Sequence, residues 1–223
     1  MSIFVDSNKK DQIDVILIGG TGAGKRTLAE AVLGENSVTE IEYKYPRERK
    51  FTYKIWKTID VDLGYTDTEA VIKSLDKEIS EKTSSGEAQN FVIWYCINSK
   101  TGRYQGGELN FIKKLATFGV PFFLVLTQSI GDAEELLNFE KKIEETNRMQ
   151  NIEVYDVVKV LAKDYKVRGL PDIKSFGINY GKNSFDLFNL YNLIDMTSKS
   201  IWMRTDPSYQ SLSSPLLLFL KRK

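Results

Sequence analysis

Along this chain, short runs dense in β-branched and aromatic residues alternate with stretches whose apolar residues fall three and four apart. That alternation leaves few folds open. Gln12 to Ile18 (QIDVILI) predicts a strand that stops at Gly19-Gly20, and Lys25 to Leu33 predicts a helix with Leu28, Ala31 and Val32 apolar. Phe51 to Asp60 alternates in part and predicts one long strand or a tight hairpin. Thr68 to Lys82 places Val71, Ile72, Leu75 and Ile79 at helical spacing, and Phe91 to Ile97 (FVIWYCI) is a continuous apolar strand. Glu108 to Phe118 predicts a helix, Phe122 to Leu126 (FFLVL) a buried strand and Ala133 to Met149 a charged amphipathic helix. Val154 to Leu161 predicts a last strand and Phe185 to Ile201 a last helix. Apolar strands alternating with helices imply an α/β fold: a mainly parallel sheet covered on both faces, wound as a three-layer, doubly wound sandwich. In such a sheet ligands bind beyond the carboxyl ends of the strands. The loops of interest therefore follow Ile18, Asp60, Ile97, Leu126 and Leu161.

Composition narrows the chemistry. The 223 residues predict one large domain, over 12–203, with an N-terminal extension over 1–11 and a tail over 204–223. Lys plus Arg is 31 and Asp plus Glu is 30, a formal net charge of +1, which argues against nucleic-acid binding driven by bulk charge. There is no histidine, which removes imidazole acid/base chemistry and His metal sites, and Cys96 is the single cysteine, so neither an intrachain disulfide nor a Cys-cluster zinc site can form. A reduced, cytoplasmic compartment is the expectation. Residues 1–10 lack the apolar core of a secretion signal. No stretch approaches the ~18 consecutive apolar residues of a membrane-spanning helix.

The first of the five loops carries chemistry. It reads Gly19-Gly20-Thr21-Gly22-Ala23-Gly24-Lys25-Arg26-Thr27, after a predicted strand and at the start of a predicted helix. That is the context of a phosphate-binding loop: glycines let backbone N–H groups turn inward as an anion nest, the helix N-terminus adds its dipole, and Lys25 supplies a charge for the β- and γ-phosphates. A plain glycine-rich turn is the alternative, and spacing, context and lysine together disfavour it. One position departs from GxxxxGK followed by Ser or Thr, whose hydroxyl holds Mg²⁺: here it is Arg26, which has no acceptor. Thr27 offers a hydroxyl one residue later, about 100° further round the helix.

From these residues the chain resembles the Era-like branch of the translation-factor class of P-loop GTPases, in particular bacterial ribosome-binding-type and avirulence-induced-type small GTPase domains. DVILIGGTGAGK and TLAEAVLGE carry the resemblance, supported by IWYCINSKTGRY, ELNFIKKL, PFFLVLTQS and VLAKDY, and it spans roughly residues 12 to 201. It implies a G domain that binds GTP or GDP, and four further elements. The γ-phosphate sensor DxxG corresponds to Asp60-Val61-Asp62-Leu63, with Leu63 at the glycine position and Gly64 one residue late. Asp60 and Asp62 are either ordinary strand-end carboxylates or carry a residual role toward Mg²⁺ or water. The switch threonine corresponds to Thr39, which reads as a plain loop residue before a switch residue. The guanine reader [NT]KxD corresponds to Thr127-Gln128-Ser129-Ile130, without the lysine and the spaced aspartate; Asp132 comes two residues late and reads as base reader or as helix N-cap. Leu161-Ala162-Lys163 resembles the SAK loop beside the base.

The nucleotide-binding residues expected from this reading are thus Gly19 through Thr27, Thr127, Gln128, Asp132, Ala162 and Lys163, with no metal ligand assigned and Mg²⁺ weak or absent. The function expected is guanine-nucleotide binding with Mg²⁺-dependent hydrolysis very slow or absent. The alternative is a pseudo-GTPase that serves as a protein-interaction or regulatory module. An ATP-binding, kinase-like P-loop protein is disfavoured because no lid-type run of arginines is present. Arg47, Arg49 and Lys50 among aromatics read as a solvated edge strand before a nucleic-acid patch, and Arg103 as a loop salt bridge before an arginine finger. Cys96, Trp94 and Tyr95 read as core. A surface loop is expected at Asn179 to Asn183. The tail PLLLFLKRK, Pro215 to Lys223, is too short to span a bilayer. It suggests docking on the domain or self-association before contact with a membrane surface, so a protein partner or a second copy is the other expected partner.

Overall fold

A computed structural model of the chain describes residues 11–33, 41–45, 49–62, 64, 66–86, 90–101, 104, 106–129, 133–162 and 190–205. The strands are β1 (Asp11–Gly19), β2 (Ile41–Tyr45), β3 (Arg49–Asp60), β4 (Phe91–Asn98), β5 (Phe122–Thr127) and β6 (Asp156–Lys159). The helices are α1 (Lys25–Leu33), α2 (Thr68–Ser85), α3 (Gly107–Leu115), α4 (Ala133–Gln150) and α5 (Leu190–Thr205), with a 3-10 turn at Ala116–Phe118 after α3. The sheet order is β2-β3-β1-β4-β5-β6. β3, β1, β4, β5 and β6 run parallel, and β2 is an antiparallel edge strand on β3. The chain is wound to one side of β1 and then back to the other, so its switch point lies at the carboxyl end of β1. The α/β reading of the sequence is the fold observed.

Side chains alternate across each strand, and this sorts the core into two layers. Ile13, Val15 and Leu17 of β1 face α1 and α5, where they join Trp94, Cys96, Phe123, Val125, Leu28, Leu193 and Trp202. Ile16 and Ile18 face the other way, onto Leu75 and Ile79 of α2, Phe111, Ile112 and Leu115 of α3 and Ile143 of α4. β4 and β5 are buried on both faces, which is why they read as unbroken apolar runs. Each fully buried Ile or Leu contributes about 1.5–3 kcal/mol relative to exposure.

Of the two readings of Phe51 to Asp60 the long strand is the one observed: the segment lies within a twelve-residue strand whose antiparallel partner β2 precedes it. Two features differ from the sequence reading. Beside β1, the register slips between Val15 and Ile16, so that Trp56 is the extra residue of a bulge. Trp56 packs in the α2 layer, against Phe91 at 5.1 Å between ring centroids, with Lys57 and Lys82 each 5.8 Å from its ring, and the bulge brings Ile59 onto that same layer. The last strand is shorter than Val154 to Leu161, although the Val160 N–H still donates to the Leu126 carbonyl at 2.8 Å.

Helix ends follow their local chemistry. Asp67 caps α2 by accepting from the Ala70 N–H at 3.1 Å, and Gly86, at φ 75°, closes it. α5 is fixed to the sheet by polar contacts inside the core. The Tyr53 hydroxyl donates to the Ile194 carbonyl at 2.6 Å and lies 2.6 Å from Ser198 Oγ, while Trp94 Nε1 donates to Thr197 Oγ1 at 3.1 Å. Of the helix predicted from Phe185, residues 185–189 lie outside the described residues, as do 179–183 and 215–223. Among the described residues no helix is long and apolar enough to cross a membrane.

At the start of α3, Glu108 is half-buried and accepts from the Tyr95 hydroxyl at 3.0 Å. Burial holds its carboxyl above the usual carboxylate range, and the Tyr95 hydrogen bond offsets part of that rise. The native state therefore binds the Glu108 proton more tightly than the unfolded chain does, so this group favours folding at low pH and loses that contribution as pH rises through its native value. Glu108→Gln keeps an acceptor for Tyr95 but does not titrate. The stability of wild type relative to this variant is expected to grow as pH falls from 7 toward 5, read from urea midpoints at each pH.

Candidate functional site

The carboxyl ends of β1, β3, β4 and β5 converge on one loop. β1 ends at Gly19, which is in register with Asp60 of β3 on one side and Cys96 of β4 on the other. The chain then turns through Gly20 to Gly24 and enters α1 at Lys25. Gly24 sits at φ 78°, a left-handed backbone that favours glycine, and a Cβ there would press on Thr127 Oγ1 at 3.1 Å. The turn is held from inside by the Ala23 N–H on the Gly20 carbonyl at 3.1 Å, and α1 begins with the Leu28 N–H on the Gly24 carbonyl at 2.9 Å. The first N–H groups of α1 have no partner within the helix and point out of its end, where the dipole also favours an anion.

Lys25 fills the middle of this loop. Its side chain is only 5% exposed, and its Nζ donates to the carbonyls of Gly19 and Gly20 at 2.7 Å each and to Asp60 Oδ1 at 2.6 Å. An ammonium has three N–H donors, and these three acceptors match them. Asp60 is 68% exposed at the end of β3, so its carboxylate faces both the lysine and open solvent.

Neighbouring loops are tied to the same turn. The Thr127 hydroxyl donates to the Ala23 carbonyl at 2.7 Å, linking the end of β5 to the loop. Asn98 Nδ2 and Gln128 Nε2 each donate to the Gly22 carbonyl at 3.4 Å. Gln128 has φ 53°, a left-handed backbone that turns the chain sharply after β5. The Ser129 N–H donates to the Val160 carbonyl at 3.2 Å, and Ser99 Oγ lies 3.0 Å from Ser129 Oγ. Thus Gly19 to Thr27, Thr127 and Gln128 occupy one end of the sheet, with Leu161 and half-buried Ala162 directly after β6 at the same end. Thr39, Leu63, Arg103, Ile130, Asp132 and Lys163 lie outside the described residues.

Arg26 points away from this centre. Its side chain is 92% exposed, and its Nε donates to Glu30 Oε1 one turn along α1 at 2.7 Å. Asp62 is also engaged locally: its Oδ1 accepts from the Gly64 N–H at 3.1 Å, and its N–H donates to Thr66 Oγ1 at 2.8 Å. The fold family implies Mg²⁺ beside a phosphate loop. Here the ligand position is a guanidinium that offers no lone pair, and the strand-end carboxylate Asp60 is bound to Lys25. These residues do not fit a divalent cation. Cys96, under the loop, is buried and its thiol is pushed up to about 12 by burial, which leaves it a packing residue.

Two features escaped the sequence reading. The contact of Asn98 with Gly22 had no motif to announce it. The pairing of Lys25 with Asp60 was hidden because the two residues come from elements separated by a whole crossover.

No family model and no curated protein sequence matches the chain. Solved structures do resemble it. One is the bacterial selenocysteine-specific elongation factor EF-Sec, at 13% identity, with a TM-score of 0.52, over 86% of this chain and 29% of that one. Another is SsGBP in its GDP complex, at 12% identity and a TM-score of 0.51, over 90% of this chain and 53% of that one. A third is elongation factor SelB from Methanococcus maripaludis, at 13% identity and a TM-score of 0.50, over 86% and 34%. The chain spans about half or less of the length of each of these proteins. At such identities the likeness is one of fold: the α/β architecture of a mainly parallel sheet covered by helices.

Proposed function

We propose that the chain is a guanine-nucleotide-binding, GTPase-like protein of the Era-like type, in which Gly19 to Thr27 hold the diphosphate and Thr127 and Gln128 begin the base side. Asp132, Ala162 and Lys163 complete that base side by their place after β5 and β6. The observation that carries this reading is Lys25: a buried ammonium at the switch point of a doubly wound sheet, wrapped by a glycine loop and followed at once by a helix N-terminus. SsGBP, of similar fold, is in complex with GDP, which supports the choice of guanine nucleotide.

Hydrolysis is the weaker half of the chemistry. Phosphoryl transfer rests on positioning and on neutralising charge at the γ-phosphate. Arg26 stands where the metal ligand would be and turns outward, and Leu63 stands at the sensor glycine. Nucleotide binding through the backbone nest and Lys25 therefore outlasts turnover. This favours a protein whose bound nucleotide serves recognition, so the pseudo-GTPase reading, an interaction or regulatory module with a protein partner or a second copy, stands beside slow hydrolysis. The test is equilibrium titration with GDP, GTP and ATP, each in EDTA and in Mg²⁺, with phosphate release followed separately. Expected are affinities for GDP that are nearly equal with and without Mg²⁺, and guanine preferred over adenine by no more than about ten- to a hundredfold, the worth of one charge-assisted contact. Failure of all three nucleotides to bind overturns the reading.

Arg26→Ser restores a hydroxyl at the metal position and removes only an exposed i,i+4 ion pair worth a few tenths of a kcal/mol. The variant is expected to bind GDP roughly tenfold tighter in Mg²⁺ than in EDTA, while phosphate release recovers only in part because Leu63 is unchanged. A wild type that already hydrolyses GTP briskly with Mg²⁺ would show that Arg26 is no defect.

A further inference from the structure

Lys25 has no donor to spare in the described structure. Gly19 and Gly20 belong to its own loop and cannot leave it, whereas Asp60 is mostly exposed and can rotate into water. Any anion that uses Lys25 must therefore displace Asp60, and the displaced carboxylate stays close to the incoming phosphates. Like charges at that range repel. A cation between them would relieve the repulsion, but Arg26 supplies no ligand for one and its guanidinium is committed to Glu30 on the outer side of α1. From this arrangement we infer that Asp60 is the resting counter-ion of Lys25 and gates the phosphate loop: it closes the site against polyphosphate when empty and opposes the ligand once bound. The inference rests on the nucleotide-binding reading above and gives that site its regulation. Asp60 then acts against binding, the opposite of a carboxylate that helps to hold a nucleotide through a metal.

Four proteins decide the matter: wild type, Asp60→Asn, Lys25→Met and the double variant. Urea unfolding without ligand gives the coupling between the two positions by a double-mutant cycle. GDP titration in EDTA and in Mg²⁺ then compares Asp60→Asn with wild type. The expected results are a favourable coupling in the ligand-free protein and GDP binding by Asp60→Asn roughly three- to tenfold tighter than by wild type, in EDTA as well as in Mg²⁺. Asp60→Ser, which shortens the side chain, should change affinity in the same direction. Zero coupling overturns the pairing. Weaker GDP binding by Asp60→Asn, confined to Mg²⁺, overturns the gate while leaving nucleotide binding intact, because Asp60 would then be acting beside a metal. Coupling without GDP binding by either protein overturns the nucleotide reading, and with it the gate, since Lys25 and Asp60 would then form a structural pair only.

Discussion

Lys25→Met is expected to lower GDP affinity by about a hundredfold or more. A hydrogen bond to a charged group contributes about 1.5–3 kcal/mol, and the upper part of that range corresponds to two orders of magnitude in Kd. The site is 5% exposed at this side chain, so water cannot take the place of the ammonium. Methionine has a similar length and no charge, which isolates the electrostatic role from the volume. The same change leaves the carbonyls of Gly19 and Gly20 without their Nζ donor. Stability should therefore fall by about 1–3 kcal/mol, a loss read from the urea midpoint and small enough to leave the domain folded. Isothermal titration with GDP in EDTA measures the affinity. If Lys25→Met binds GDP within about threefold of wild type, less than 1 kcal/mol on the affinity scale, Lys25 does not face the phosphates and the site lies elsewhere.

How far the sequence reveals this site depends on how local each feature is. The bounds of α1 and the glycine loop were legible because a strand, a turn and a helix N-terminus lie within one continuous segment. Arg26 marked a departure from the Ser or Thr of the phosphate-loop pattern by identity alone. Its outward turn to Glu30 was legible in principle, since the two are four apart on one helix. Thr127 illustrates a partial reading. Its place at the end of FFLVL marked it as the start of a base-reading segment, but its bond to the Ala23 carbonyl, which fastens β5 to the phosphate loop, needs the β1–β4–β5 adjacency. The bulge at Trp56 shows the opposite limit. One unpaired residue reverses which face every later side chain of β3 occupies, and alternation counted along the sequence has no means to register it. The polar contacts of α5 were also hidden: Thr197, Ser198 and Ser200 are all buried, although nothing in their residue types separates them from a solvated face.

Gly19→Ala tests the geometry beneath all of this, and its expected cost is about 3 kcal/mol or more. Gly19 sits at φ 153°, and a Cβ built on it would come within 2.4 Å of the Cys96 carbonyl oxygen. That oxygen is backbone, in a strand paired to β1 with Gly19 opposite Cys96, so neither atom can retreat without opening the ladder at the end of β1. Retreat would also disturb the Gly19 carbonyl, which accepts from the Val61 N–H at 3.1 Å and from Lys25 Nζ at 2.7 Å. Overpacking against backbone and the loss of these bonds act together. At roughly 2–4 °C per kcal/mol for a domain of this size, Tm should fall by about 10 °C. Gly22→Ala is the control. A Cβ there meets nothing within 4 Å, so only the left-handed backbone at φ 77° opposes it, a cost of about 1–2 kcal/mol. Differential scanning calorimetry of the two variants should therefore separate them clearly, with Gly19→Ala the lower. Equal Tm values would mean that β1 and β4 do not meet as described at their carboxyl ends. The phosphate loop would then lack the rigid floor on which Lys25 and Asp60 face each other.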